Sequence, residues 1–139
     1  MNLESVLKHH AGVEEFRRRH RTGLVTLLFT DMVGSTKLKQ NLGDQEGLRL
    51  IQRHHTLVRD ILGSFPKAEE IKTAGDSFFI VFATPSDSVQ FCLLLQSRLR
   101  ILVKETGLPL QDRAGIHVGE VFIEDEGGAS KAKDLRGIQ

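Results

Sequence analysis

The spacing of apolar positions changes several times along the chain, and each change marks a new element. In residues 1–20, Leu3, Val6, Leu7, Val13 and Phe16 recur at three-, four- or longer helical steps, which predicts an amphipathic helix. "GLVTLLFT" (23–30) is short, partly β-branched and almost continuously apolar, the pattern of a buried strand. Helical spacing returns over 35–62, interrupted at "NLGD" (41–44), and its second half carries Leu48, Ile51, His55, Val58 and Leu62 at helical intervals. "AEEIKTAGDSFFIVFA" (68–83) predicts two strands joined tightly at Gly75 and Asp76, a hairpin signal. Pro85, Ser86 and Asp87 suit the first turn of a helix that runs through Val89, Leu93, Leu94, Leu99 and Val103 to a C-cap at Gly107. "DRAGIHVGEVFIED" (112–125) is extended in pattern, with Gly115 and Gly119 expected at bulges or close backbone approaches. The polar, glycine-containing "EGGASKAKDLRGIQ" (126–139) predicts a mobile tail.

The order is strand, helices, hairpin, helix, strands. It predicts an α+β sandwich of the ferredoxin-like βαββαβ kind, with helices on one face of a mostly antiparallel sheet. Residues 1–22 form an N-terminal helix or linker in this reading, and 23–139 the domain.

Composition narrows the class without naming a chemistry. A chain of 139 residues suits one domain with a real core, and 40% apolar with 27% charged residues is ordinary for a globular protein. A net charge of +1 gives no argument for nucleic acid or an acidic membrane surface. The single cysteine, Cys92, sits in an apolar run and reads as a buried, inert thiol. No apolar stretch reaches the ~18 residues of a membrane span. The polar N-terminus has no secretory core, so the expected setting is cytoplasmic, or a cytoplasmic domain of a larger membrane protein. The basic run at 17–21 reads as a solvated helix end at the negative pole of the helix dipole. His54 and His55 read as helix-surface or core-edge residues.

The candidate chemistry begins in "LLFTDMVGST" (27–36), where an apolar strand runs straight into Asp31. Asp76 lies at the hairpin turn between two other apolar strands. If the first strand lies beside the hairpin, both carboxylates meet at one rim of the sheet. Two ionised carboxylates brought close repel each other unless a cation sits between them. Such oxygen donors suit Mg²⁺, which takes one or two carboxylates and completes its shell with water and phosphate. Gly34, Ser35 and Thr36, opening a helix directly after Asp31, form a candidate phosphate-receiving segment. Taken singly, each acid is equally consistent with a turn or cap residue, and spacing alone leaves that choice open.

"LLFTDMVGSTKLKQNLGDQEGLRLIQRHHTLVRD", "EIKTAGDSFFIVFATPSDSVQFCLLLQ" and "RAGIHVGEVF" resemble, in this order, the catalytic domain of class III nucleotide cyclases, nearest to bacterial adenylate cyclases. The resemblance spans about 24–139. It implies conversion of ATP to 3′,5′-cyclic AMP and pyrophosphate, through attack of the ribose 3′-hydroxyl on the α-phosphorus. It implies two Mg²⁺ or Mn²⁺ ions per site, held by Asp31, Asp76 and the Met32 carbonyl. One ion would lower the hydroxyl pKa and the other would hold the triphosphate. Lys72 matches the lysine that donates to adenine N1, and Asp134 in "KDLRG" the acid that accepts from the exocyclic amine. Arg113 matches a family position with an expected structural role, and His117 is expected to be packed.

Family members place their sites at a head-to-tail homodimer interface. The resemblance therefore puts Asp31 and Asp76 in one half-site and Lys72 and Asp134 in its neighbour. The asparagine and transition-state arginine of the family follow the "D-x-x-G" turn on the next helix, and with the last hairpin they lie beyond Gln139. The segment is accordingly expected to be inactive alone, with regulatory domains possible on either side. Two other readings stay open: a non-catalytic, nucleotide-binding cyclase-like module, and a guanylate cyclase. A haloacid dehalogenase-type phosphatase needs a second acid at position 33, where this chain has Val33.

Overall fold

The structure, a computed structural model, describes residues 9–20, 23–126 and 129–135, with side chains as far as residue 119. In chain order the described elements are α1 (His10–His20), β1 (Leu24–Met32), α2 (Ser35–Leu42), α3 (Asp44–Leu62), β2 (Ala68–Ala74), β3 (Ser77–Phe82), α4 (Pro85–Thr106), β4 (Asp112–Glu126) and β5 (Ala129–Leu135). The sheet order is β2-β3-β1-β4-β5, with every neighbouring pair antiparallel. Its first four strands have the ferredoxin-like order that the sequence pattern implies, and β5 adds an edge.

The central strands lack alternation because both of their faces are covered. On one face Leu28, Phe78, Ile80 and Phe82 meet Val58 and Ile61 of α3 and Phe91, Leu95 and Leu99 of α4. This is the expected helical layer. On the other face Val25, Leu27, Phe79 and Val81 are buried beneath Val13 and Phe16 of α1. The N-terminal helix is therefore part of the packed core. Glu14 of α1 is buried but paired, with Arg17 and, at 3.3 Å, Arg18. Arg19 reaches Glu69 of β2 at 2.8 Å. Three of the arginines in the basic run are thus used inside the fold; Arg21, like Leu3, Val6 and Leu7, lies outside the described residues.

Local signals explain the boundaries. The Asp87 amide donates to Thr84 Oγ1 (3.3 Å), capping α4 one residue before Pro85. Gly107 ends α4 with φ +71°, as a C-cap glycine does. The break between α2 and α3 falls at Gly43, whose φ of +86° suits glycine.

Four expectations need correction. The buried stripe of α3 is Leu50, Ile51, His54, Val58 and Ile61, so Leu48 and His55 lie outside it. That of α4 is Ser88, Phe91, Leu95, Leu99 and Leu102, leaving Val89, Leu93 and Leu94 exposed. Apolar residues on most sides of α4 let several stripes fit the same spacing. Pairing of β1 with β4 runs unbroken from Leu24↔Glu120 to Met32↔Asp112, so neither Gly115 nor Gly119 marks a bulge. Nothing approaches within 4 Å of where a Gly115 Cβ would lie. The register shifts fall instead between Glu70 and Lys72 and between Phe122 and Ile123. Finally, residues 129–135 of the expected tail form β5, an edge strand paired along one side with β4.

Candidate functional site

β1 and the β2–β3 hairpin build one rim of the sheet. Thr30 pairs with Phe78 as the last partners between β1 and β3. Asp31 therefore stands one position beyond that pair, beside Ser77 and the Gly75–Asp76 turn. The turn depends on Gly75, whose φ is +58°. Both acids are half-buried. The Val33 amide donates to the Gln111 carbonyl (2.8 Å), which makes Met32 and Asp112 a non-hydrogen-bonded pair. The Met32 carbonyl then points away from β4, to the hairpin side where Asp76 lies. Gly34 follows with φ +67° and leads into Ser35 and Thr36 in the first turn of α2.

A cation already occupies one acid. Arg113 of β4, paired in register with Asp31, donates from Nε to Asp31 Oδ1 (3.0 Å) and from Nη2 to Oδ2 (3.3 Å). Its side chain is 72% exposed, so this ion pair contributes little to stability and yields readily to another cation. Asp31 and Arg113, with Thr30, Ser77, Phe78 and Gly115, line a cleft of about 220 Å³. That is below the ~300–1,000 Å³ usual for a small-molecule site. A larger cleft of about 570 Å³ lies between α3 and α4, where Arg53 pairs with Glu105 and Arg98 with Asp60. Its charges are matched and the rim acids are not part of it.

Two adjacent histidines of α3 reach the same rim from below. His54, fully buried, donates from Nε2 to Asp112 Oδ2 (2.6 Å) at the start of β4. His55 donates from Nε2 to the Gly75 carbonyl (2.6 Å) in the hairpin turn, and its ring stands edge-on to Phe78 at 5.1 Å. Below the hairpin, Arg59 holds Glu70 at 3.0 Å, and the Glu70 carboxylate also accepts from Thr73. The Arg59 guanidinium, foremost, keeps the Glu70 carboxyl below the usual carboxylate range.

The other expected residues lie apart. Lys72, exposed on edge strand β2, pairs with Phe79, which pairs in turn with Phe29. It shares the sheet face of Asp31 but lies two strands away, outside the 220 Å³ cleft. Asp134 falls on β5 opposite Phe122, at the other edge of the sheet. Four strand spacings of ~4.8 Å separate β2 from β5 by roughly 19 Å across the sheet alone, and β5 pairs with β4 beyond the end of β1. Lys72 and Asp134 therefore do not meet within one chain. Cys92 is half-buried, and burial pushes its thiol pKa up, as an inert thiol requires.

The donor set decides which metal fits the rim. Among the described residues no group of three or more His, Cys, Asp and Glu side chains forms a metal cage. Two carboxylates and a carbonyl do not make a structural zinc site. They do fit a hard cation that keeps water and phosphate in its shell. The contacts of Arg113 with Asp31 and of His55 with the Gly75 carbonyl escaped the sequence reading, because both depend on strand and helix register rather than residue type.

The profile of the adenylate and guanylate cyclase catalytic domain matches residues 18–137. An adenylate cyclase of Neurospora crassa is 31% identical over 126 residues, covering 74% of this chain and 5% of its own. Among solved structures, a bacterial light-regulated adenylyl cyclase superposes with TM-score 0.65 at 17% identity, covering 83% of this chain and 64% of that one. An adenylate cyclase structure from Trypanosoma brucei, described in its monomeric state, gives TM-score 0.59 at 26% identity, covering 84% and 64%. The chain thus spans a small part of its fungal relative and under two thirds of these solved chains.

Proposed function

Because the chain belongs to the adenylate and guanylate cyclase catalytic-domain family, we propose that it is the metal-binding and base-recognising portion of an adenylate cyclase. The substrate in this reading is ATP, and the products are 3′,5′-cyclic AMP and pyrophosphate. The observation that carries the proposal is the register Thr30↔Phe78, which sets Asp31 beside the turn containing Asp76. Asp31, Asp76 and the Met32 carbonyl would hold Mg²⁺ or Mn²⁺, two ions per site. When bound, these ions acidify the ribose 3′-hydroxyl and oppose charge on the phosphates.

The chain's own groups do the rest. The 3′-oxygen forms its bond to the α-phosphorus as the bond to pyrophosphate breaks, and the hydroxyl proton leaves to solvent. Arg113, which shares the cleft with Asp31, would offer its guanidinium to a phosphate oxygen. The first turn of α2 at Gly34, Ser35 and Thr36 supplies amides to the same end. Lys72 reads the base by donating to adenine N1.

Lys72 lies outside the phosphate cleft, which supports a site completed by a second copy in head-to-tail arrangement. A head-to-tail pair would bring Asp134 of one copy to the base read by Lys72 of the other, and the position of β2 and β5 at opposite edges supports that reading. The catalytic domain in this proposal is 23–139, with α1 packed on its sheet as part of the core, acting in the cytoplasm. Among the described residues no helix is long and apolar enough to cross a membrane.

The test is cyclic nucleotide formation from ATP and from GTP, with Mn²⁺, by the protein that contains this domain. The proposal expects cyclic AMP from the parent, none from Asp31→Asn or Asp76→Asn, and a loosened base preference in Lys72→Glu. A folded, dimeric parent with no product would instead favour a regulatory, nucleotide-binding module. Preference for GTP would favour a guanylate cyclase.

A further inference from the structure

We propose that His54 and His55 are positioning residues that set the spacing between Asp31 and Asp76. The inference rests on the reading of those acids as a metal pair, and it concerns groups outside that pair. The two acids belong to segments far apart in sequence, the end of β1 and the β2–β3 turn, and both lie just past the last β1–β3 pair, Thr30↔Phe78. Neighbouring residues of α3 grip one segment each. His54 binds Asp112 inside the core at 2.6 Å, and Asp112 is the register partner of Met32. The next residue of β4, Arg113, binds Asp31 itself. On the other side His55 binds the carbonyl of Gly75, directly before Asp76, at 2.6 Å. Both rings also pack against Phe78, at 6.1 and 5.1 Å between centroids. Phe78 is in turn the last β3 partner of β1.

One helical step thus ties both acid-bearing segments to the same rigid body. A hairpin turn on a glycine with positive φ pivots easily if its carbonyl is released. A carbonyl offers no proton, so the His55 contact requires an N–H at Nε2. A phenylalanine keeps the ring against Phe78 and removes the donor, whereas a glutamine returns a donor of similar reach.

The experiment measures Mn²⁺ binding to the full chain by electron paramagnetic resonance of the free ion, alongside thermal unfolding. Wild type is expected to bind, and Asp31→Asn and Asp76→Asn to lose binding. His55→Phe should bind about fivefold more weakly, the effect of losing one ordinary hydrogen bond. His55→Gln should recover most of that loss. Amide exchange in the 74–77 turn should quicken in His55→Phe and return toward wild type in His55→Gln. Wild-type affinity in His55→Phe, or equal losses in Phe and Gln variants tracking their melting temperatures, overturns the positioning role while leaving the metal pair intact. Binding that survives both Asp substitutions, or no binding by wild type, overturns the metal pair and this inference with it.

Discussion

Removing the buried contact between His54 and Asp112 has a cost that follows from its surroundings. Both side chains are 1% exposed, and the Nε2–Oδ2 separation is 2.6 Å. Replacing either residue by leucine leaves a polar or charged partner in a dry core, which costs about 3–5 kcal/mol. Replacing both removes the polar groups together, so the double variant should lose less than either single one. An unfolding entropy of ~2.1 cal/mol/K per residue means that ~1 kcal/mol moves the melting temperature of this chain by roughly 3–4 °C. His54→Leu and Asp112→Leu should each melt about 10 °C or more below wild type. The double variant should fall short of the summed shift by at least about 10 °C. Circular dichroism at 222 nm across the four proteins reads the cycle directly. Additive shifts, or single losses near 1 kcal/mol, would mean that the pair is solvated and that the helix does not grip β4 through it.

Phe16→Ala should destabilise the chain by about 3–5 kcal/mol, since Phe16 is fully buried on the second face of the sheet; a urea midpoint unchanged from wild type would make α1 a detachable linker. Arg113→Ala removes the cation from Asp31, so Mn²⁺ should bind up to about fivefold more tightly without nucleotide, while KM for ATP rises; tighter metal with unchanged KM would deny Arg113 a phosphate. Glu70 has a depressed folded-state pKa, so its contribution is present above the usual carboxylate range and fades as pH falls below about 4. The urea midpoints of wild type and Glu70→Gln should accordingly differ near neutral pH and draw together as pH falls through the depressed folded-state pKa, and a gap that does not narrow at all in acid contradicts the pairing with Arg59. Cys92 should react with iodoacetamide more slowly than a small free thiol at pH 8, because burial raises its pKa; equal rates would place it at the surface.

Much of this fold was legible because its signals are local. The unbroken apolar runs of β1 and β3 announced burial, the glycine–aspartate step announced the hairpin, and Gly107 marked the end of α4. The phases of α3 and α4 were less legible, since apolar residues on several sides leave the inward face to tertiary packing. β5 escaped because its strand character comes from pairing with β4, in a segment whose composition suggests a tail. At the rim, Asp31 stood out as a carboxylate ending an apolar strand and Asp76 as the acid of a glycine–aspartate turn. Arg113 on Asp31 and His55 on the Gly75 carbonyl did not. Their partners lie 82 and 20 residues away in sequence, and only strand register and helix docking bring them together.

The central claim is that Asp31 and Asp76 converge on shared metal. Anomalous diffraction from crystals grown with Mn²⁺ and a non-cyclisable ATP analogue tests it most directly. The account predicts manganese peaks bonded to carboxylate oxygens of both residues, with the Met32 carbonyl in the shell and Arg113 swung off Asp31. Manganese held by one of these acids while the other points elsewhere, or ordered nucleotide with no metal at the rim, would contradict it.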